Sequence, residues 1–319
     1  MRWARALGLL LGYAADRVFG DPRRWHPVAG FGACALRLEQ LLYRDSRASG
    51  VAHVLLLVGG TTGLGYLGEH LARSPLVRTA LTGCVTWAVL GGRSLEDEAA
   101  AVHQLLDTGD LDRARSRVRS LVGRDTACLG PDEIARAVVE SVAENSADAV
   151  VGSLVWGAVA GVPGLVAHRT VNTLDAMVGH RNNRYARFGW AAARLDDVLG
   201  LPASRLSGLL AAVLGPDPVG AVRAWRRDAR QHPSPNAGVV EAAFAGALGL
   251  QLGGVNTYYG NRREQRALMG HGRPPVPADI PRVVRLARRV GAGAVAGAVI
   301  HSVVSVRRSA GFRVATAPR

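Results

Sequence analysis

The sequence predicts an all-α, multipass integral membrane protein in which polar cytoplasmic helices alternate with broken or re-entrant apolar segments. Three observations carry that prediction. Apolar runs alternate with runs dense in arginine. Two of the apolar runs, 51–71 and 76–92, are joined by a tight break, as in a helical hairpin. Others are too short, or too interrupted by Gly and Pro, to cross a bilayer alone. Averages decide nothing here, because 48% hydrophobic residues and a mean hydropathy of +0.11 lie at the upper edge of soluble proteins.

Taken in order, the chain reads as a single domain over 1–319, with apolar segments at about 4–20, 51–71, 76–92, 148–166, 203–215 and 290–306. The first follows basic residues, as a signal peptide does, but it runs straight into Asp16 and a Gly20-Asp21-Pro22 turn without a cleavage context. It is read as a retained membrane segment. Run 51–71 carries Gly59, Gly60, Gly63 and Gly65, which permit close helix contact. Arg73-Ser74-Pro75 breaks the chain before run 76–92, which is short against the roughly 20 residues of a full span. Residues 93–147 and 167–200 are polar and helical in pattern. Ser94 with Asp97 suggests a capping box opening a helix to Leu106, and Thr108-Gly109-Asp110 ends it. The next helix carries Arg113, Arg115, Arg117 and Arg119, most simply a solvated face. Gly161-Val162-Pro163-Gly164 interrupts the run 148–166, since Pro clashes with the preceding helical turn. Run 203–215 ends at Gly215-Pro216-Asp217-Pro218, and 216–285 reads as rich in loops. The last run has arginines on both sides, so the positive-inside rule does not orient it.

Formal net charge is +14, and all 39 Lys-plus-Arg residues are arginine. GC-rich coding accounts for much of that choice, but its chemical result is a chain of permanent, planar guanidinium groups suited to phosphate and carboxylate. A P-loop lysine and a Schiff-base lysine are excluded. The basic balance fits an anionic membrane surface or an acidic substrate. Nucleic acid is not an expected partner, because no RNP, zinc-finger or interleaved Arg/aromatic motif is present. Cys34, Cys84 and Cys128 have no CxxC spacing, which argues against zinc and a disulfide scaffold, and Cys34 and Cys84 read as small core residues.

The densest chemistry lies between Glu140 and Asp197. Glu140, Glu144 and Asp148 step by four, so one α-helical face carries three carboxylates with Asn145 beside them, entering an apolar segment. A buried carboxylate needs a cation or a proton, and such a cluster suits Mg²⁺ shared with substrate phosphates. Asn172 and Asp175 share the next face, followed by His180-Arg181-Asn182 and then Arg194-Leu195-Asp196-Asp197, where Arg194 and Asp197 have i,i+3 pairing distance. His168 and His180 read as ordinary polar histidines. Asp21 and His26 sit in a rigid turn near the first segment, and Gly/Pro/Asn loops at 232–238 and 253–260 flank an Ala-rich helix with Glu241.

In this order the motifs resemble the CobD/CbiB family of cobalamin biosynthesis. The carrying residues are Asp16-x3-Gly20-Asp21-Pro22-x3-His26-Pro27-Val28, Val122-Gly123-Arg124-Asp125-Thr126, Glu140 to Asn145 with Asp148, Asn172-Thr173-Leu174-Asp175-x-Met177-Val178-Gly179, Arg181-Asn182 through Asp197, and His232-Pro233-Ser234-Pro235-Asn236-Ala237-Gly238. The resemblance implies a multipass protein of the cell (inner, cytoplasmic) membrane and a carbon–nitrogen ligase. Its partners would be the lipid bilayer, adenosylcobyric acid, an amino alcohol such as aminopropanol or its phosphate, and other enzymes of the corrinoid pathway. ATP is the implied co-substrate and Mg²⁺ its ion. On that reading Glu140, Glu144 and Asp148 hold the metal, and Arg181 and Arg194 bind phosphate. Asp21 and His26 bind substrate or phosphate, Asn145, Asn172 and Asn182 orient substrates, and Asp196 or Asp197 takes the proton from the attacking amine, with Asp175 either a further catalytic group or a fourth carboxylate on Mg²⁺–ATP. The competing expectations are a non-catalytic membrane sensor on a related AmpE-like scaffold and a corrinoid transporter.

Overall fold

The computed structural model describes residues 2–22, 26–180, 182–258 and 262–314. In chain order the elements are α1 (Arg2–Phe19), α2 (Pro27–Leu42), α3 (Arg47–Leu71), α4 (Pro75–Val89), α5 (Gly92–Asp107), α6 (Leu111–Val118) and α7 (Pro131–Asn145). A π-helical stretch (Ser146–Gly152) leads into α8 (Ser153–Val178), then α9 (Trp190–Leu214), α10 (Pro218–Asp228) and α11 (Ala237–Leu248). A hairpin, β1 (Leu252–Tyr258) and β2 (Arg262–Met269), precedes α12 (Ile280–Val314). The fold is thus almost wholly helical, as the sequence predicts. Among the described residues, the stretches Arg47–Leu71, Pro131–Val178 and Trp190–Leu214 are long and apolar enough to cross a membrane.

Several local expectations change. The 203–215 run is the end of the 25-residue α9, which begins at Trp190 and passes through Pro202 without stopping. Residues 216–285 hold α10, α11 and the hairpin rather than mainly loops. Helix α5 starts at Gly92, so Ser94 lies inside it, and Asp97 pairs with Arg93 at 2.8 Å instead of closing a capping box. All three cysteines are exposed, so Cys34 and Cys84 are not core residues.

The chain divides into two compact units. The first comprises Met1–Gly91, Gly152–Leu199 and Ala294–Arg319. Within it α1 packs along α4 because Gly8 and Gly12 leave room for Thr82 and Thr86; a methyl group at either glycine would fall on the threonine side chain. Helix α3 packs along α8, where Gly65 meets Pro163 and the Thr61 and Thr170 hydroxyls lie 3.0 Å apart. Between α2, α3, α8 and the start of α9 lies a core of Ala35, Val54, Leu174, Val178, Phe188 and Ala192.

The interruption expected at 161–164 is a kink in α8. Gly161 adopts φ 71°, which only glycine takes without strain, and Pro163 follows two residues on. The freed backbone is served from outside the helix. Val162 N–H donates to Glu69 Oε1 at 2.9 Å, and Arg5 donates to the Ala158 carbonyl at 3.2 Å while standing 3.9 Å from Glu69.

The second unit comprises Gly92–Val151 and Gly200–Gly293. Its centre is α11, buried along nearly its whole length and ended by Gly249 in the left-handed conformation. Helix α10 lies tightly along α11, with Gly220 against Gly246 at the crossing. Two carboxylates fasten the surrounding loops. Asp279 accepts from Arg273 (2.6 Å), Arg282 (2.6 Å) and the Val276 amide (2.9 Å), while Asp228 accepts from Arg227 (2.5 Å) and the Gly270 amide (2.9 Å). The hairpin is antiparallel, with an irregularity between Leu252 and Gly254 that turns the Gly253 amide toward α7.

Candidate functional site

The residues expected to form one constellation are divided between the two units. In the second unit Glu140 is 4% exposed. Its carboxylate is already committed, accepting from Arg124 at 2.5 Å and from the Gly253 amide at 2.9 Å. Arg124 is equally buried, so two desolvated charges are paired and hydrogen-bonded. Arg136, one turn before Glu140, donates to the Gly253 and Val255 carbonyls and is used to anchor the hairpin. The three-carboxylate face does not persist as an α-helical row. Helix α7 ends at Asn145, and the π-helical stretch with its wider i→i+5 turn begins between Glu144 and Asp148 and contains Asp148. Among the described residues no three His, Cys, Asp or Glu side chains form a group able to hold a metal ion. In this arrangement Glu140 is the partner of an arginine. Asn145 is exposed and turns its amide back onto Ser141, donating to the carbonyl at 2.9 Å and to Oγ at 3.0 Å.

Beside this pair is a group to which the sequence assigns no role. Glu241, in the middle of α11, is 1% exposed. Burial, and after it the negative charges of Glu140 and Glu144, push its carboxyl well above the usual carboxylate range; Arg266 and Arg124 oppose that push. His232 Nε2 stands 3.7 Å from Glu241 Oε1. The other ring nitrogen, His232 Nδ1, is held by Ser234, accepting from its amide at 3.0 Å, so Nε2 is the nitrogen that faces the acid. The signal in the sequence was a single carboxylate inside an apolar dodecamer, a position that demands a proton or a cation.

In the first unit Asp21 and His26 do meet, at 3.6 Å, and His26 also caps α2 by accepting the Val28 amide at 3.1 Å. Asp21 and Arg169 both border Gly91. Farther along α8, Asn172 and Asp175 are half-buried, and Asp175 lies in the electrostatic field of His180 and Asp197. That brings Asp175 and Asp197 into one neighbourhood, with Asp196 half-buried beside Asp197. Arg194 is exposed and pairs with Asp197 at 3.5 Å, the i,i+3 contact expected from spacing alone. Asn182 is a turn-former, its Oδ1 accepting from the Arg184 and Tyr185 amides at 3.0 and 2.8 Å. Arg181 lies outside the described residues. His168, read as an ordinary histidine, is buried over Gly152, where a Cβ would collide with its ring. Arg184, not singled out, holds the buried Glu39 at 2.9 Å and stacks over Tyr43.

Comparison with known proteins decides what this arrangement belongs to. The model of the CobD/Cbib protein family matches residues 9–287. The chain belongs to the CobD/Cbib family. Curated relatives named "Cobalamin biosynthesis protein CobD" include one from Mycobacterium tuberculosis (strain CDC 1551 / Oshkosh), 51% identical over 93% of this chain and 95% of its own length. One from Chromobacterium violaceum is 43% identical over 89% and 92%, and one from Rhodobacter capsulatus 41% over 84% and 86%. No solved structure matches the chain. With its three span-length apolar helices, this member of the family is a membrane protein.

Proposed function

We propose that the chain is an enzyme of cobalamin biosynthesis that joins an amino alcohol, aminopropanol or its phosphate, to a propionate carboxylate of adenosylcobyric acid. The observation that carries the proposal is the full-length likeness to proteins named for cobalamin biosynthesis, at 51% identity over 93% of the chain. Amide formation from a carboxylate needs an activated carbonyl. Phosphoryl transfer from ATP supplies it: the carboxylate attacks the γ-phosphorus, ADP leaves, and the amine then displaces inorganic phosphate from the acyl phosphate while losing a proton.

Side chains of both kinds that this reaction calls for occur here. Asp175, with Asp197 and His180 as neighbours, is assigned to accept the amine's proton. Asp21, His26 and Arg169 are assigned to substrate orientation, and Arg194 to phosphate. Magnesium would arrive with the nucleotide, since an ion held largely by phosphates and water asks only one or two carboxylates of the protein. Localisation in the inner membrane, with several helices crossing it, belongs to the same proposal.

A deletion strain unable to use cobyric acid but able to use cobinamide tests the assignment. Supplying this chain on a plasmid restores growth on cobyric acid if the proposal holds. Continued growth on cobinamide alone, with the protein present in the membrane fraction, contradicts it.

A further inference from the structure

Helix α10 carries a second surface whose chemistry the proposed reaction does not use. Its inner side is fixed. Asp217 caps the first turn by accepting the Gly220 amide at 2.7 Å, Gly220 meets Gly246 of α11, and Trp225 lies on Gly208. Ala221, Ala224 and Asp228 are buried on that side. The helix therefore has no freedom to roll, and what its other side presents is set by sequence.

That other side is a shallow groove lined by Pro218, Val219, Val222, Arg223, Arg226 and Arg227. Val219 is 64% exposed, and Arg223 and Arg226 are exposed, as is Arg230 just beyond the helix. The carboxylates of this segment are both occupied. Asp217 caps the helix and Asp228 is buried against Arg227 and Gly270. Among the described residues, Arg223, Arg226 and Arg230 have no carboxylate partner. An apolar strip with guanidinium groups along it is the pattern of a helix lying in the plane of an anionic bilayer surface. The preceding element places it there: α9 is of span length, and Leu209 and Val213 on its last turns are 54% and 65% exposed. Only Gly215, Pro216 and Asp217 separate that apolar end from α10.

We propose that this face of α10 is a binding site for the phosphate headgroups of anionic phospholipids. The guanidinium groups take the phosphates while Val219 and Val222 enter the boundary with the acyl chains. A site for free phosphate would be concave, with donors converging on one point; these arginines are spread along an open, partly apolar face. The consequence is that this end of α9 and the start of α10 are held at the headgroup level of an anionic leaflet.

Native mass spectrometry of the full-length protein in detergent, with phosphatidylglycerol and phosphatidylcholine in competition, tests the site. Wild type retains phosphatidylglycerol with a preference on the order of tenfold. Combining Arg223→Gln, Arg226→Gln and Arg230→Gln brings the preference close to parity, while the three Arg→Lys changes keep most of it. In wild type alone, high salt releases the retained phosphatidylglycerol, which checks the site without any variant. Equal retention of the two lipids by wild type, an undiminished preference in the Gln variant, or displacement by millimolar inorganic phosphate at constant ionic strength would each overturn the proposal.

Discussion

At the scale of single residues, Glu140 shows how one side chain can satisfy two readings until its partner is found. A carboxylate on a helix that enters an apolar segment must be neutralised, and clustered carboxylates at four-residue spacing suggest a metal. The neutralising group is Arg124, sixteen residues earlier and outside the helix, at 2.5 Å. The Glu140→Gln variant leaves a buried guanidinium without its countercharge and should lose roughly 3–5 kcal/mol of stability. Pairing Arg124→Met with Glu140→Leu should recover most of that. Unfolding of the purified proteins measures both, and additive losses in the double variant would show that the two side chains do not act as a pair. Asp175 belongs to the opposite class. Its proposed role is proton transfer, so Asp175→Asn should lower turnover about a hundredfold or more while the unfolding midpoint stays near that of wild type. Turnover near the wild-type rate removes Asp175 from the chemistry.

At the scale of elements, punctuation in the sequence was informative and long-range partners were not. Gly161 and Pro163 announced the break in α8, yet nothing local announced that Glu69 and Arg5, from α3 and α1, serve the opened backbone. Gly161→Ala forces an L-residue into positive φ and drives a methyl onto Glu69, so a loss of about 1–3 kcal/mol is expected, read as a lower unfolding midpoint. A midpoint equal to wild type would mean that the kink is not held as described. The run at 203–215 looked short because apolar patterning begins late in α9, whereas helix geometry continues back to Trp190 through the polar Arg194, Asp196 and Asp197. Helix α11 reads in the sequence as an Ala-rich helix flanked by loops; its burial on every side makes it the centre of its unit, and Glu241 the conspicuous exception within it.

The loop clips around α10 and before α12 give a pH dependence. Burial raises Asp279 and Asp228, but Arg273 with the Val276 amide and Arg282, and Arg227 with the Gly270 amide, outweigh it and hold both carboxyls below their ordinary range. A depressed carboxyl contributes stability above its unfolded value, about 3.9 for Asp, and loses it as pH falls through the lower folded value. The contribution of these two clips should therefore be flat near neutrality and be lost below about pH 4, with Asp279→Asn less stable at pH 7 and less sensitive to acid. An Asp279→Asn profile parallel to wild type throughout would rule out that clip as a source of the acid response.

At the scale of the whole molecule, fold class was legible because lengths and apolar runs are local quantities: three span-length helices stand where apolar runs stand, or extend them. The division into two units was not, since each draws on segments distant in sequence. The site was legible as a composition, with acids, amides and arginines concentrated between Glu140 and Asp197, and illegible as a geometry. Asp21 with His26 and Asp175 with Asp197 come together, Glu140 is occupied by Arg124, and Glu241 with His232 went unassigned. The proposed reaction of this membrane protein is formation of an amide on a corrinoid at the expense of ATP. Its most direct test is the purified full-length protein in detergent with adenosylcobyric acid, Mg²⁺–ATP and aminopropanol or its phosphate, analysed by mass spectrometry. The expected result is an ATP-dependent product with the mass of the condensed corrinoid, formed together with ADP and phosphate in equal amounts. Folded protein that yields no amide from either amine, or that yields it equally well without ATP, would contradict it.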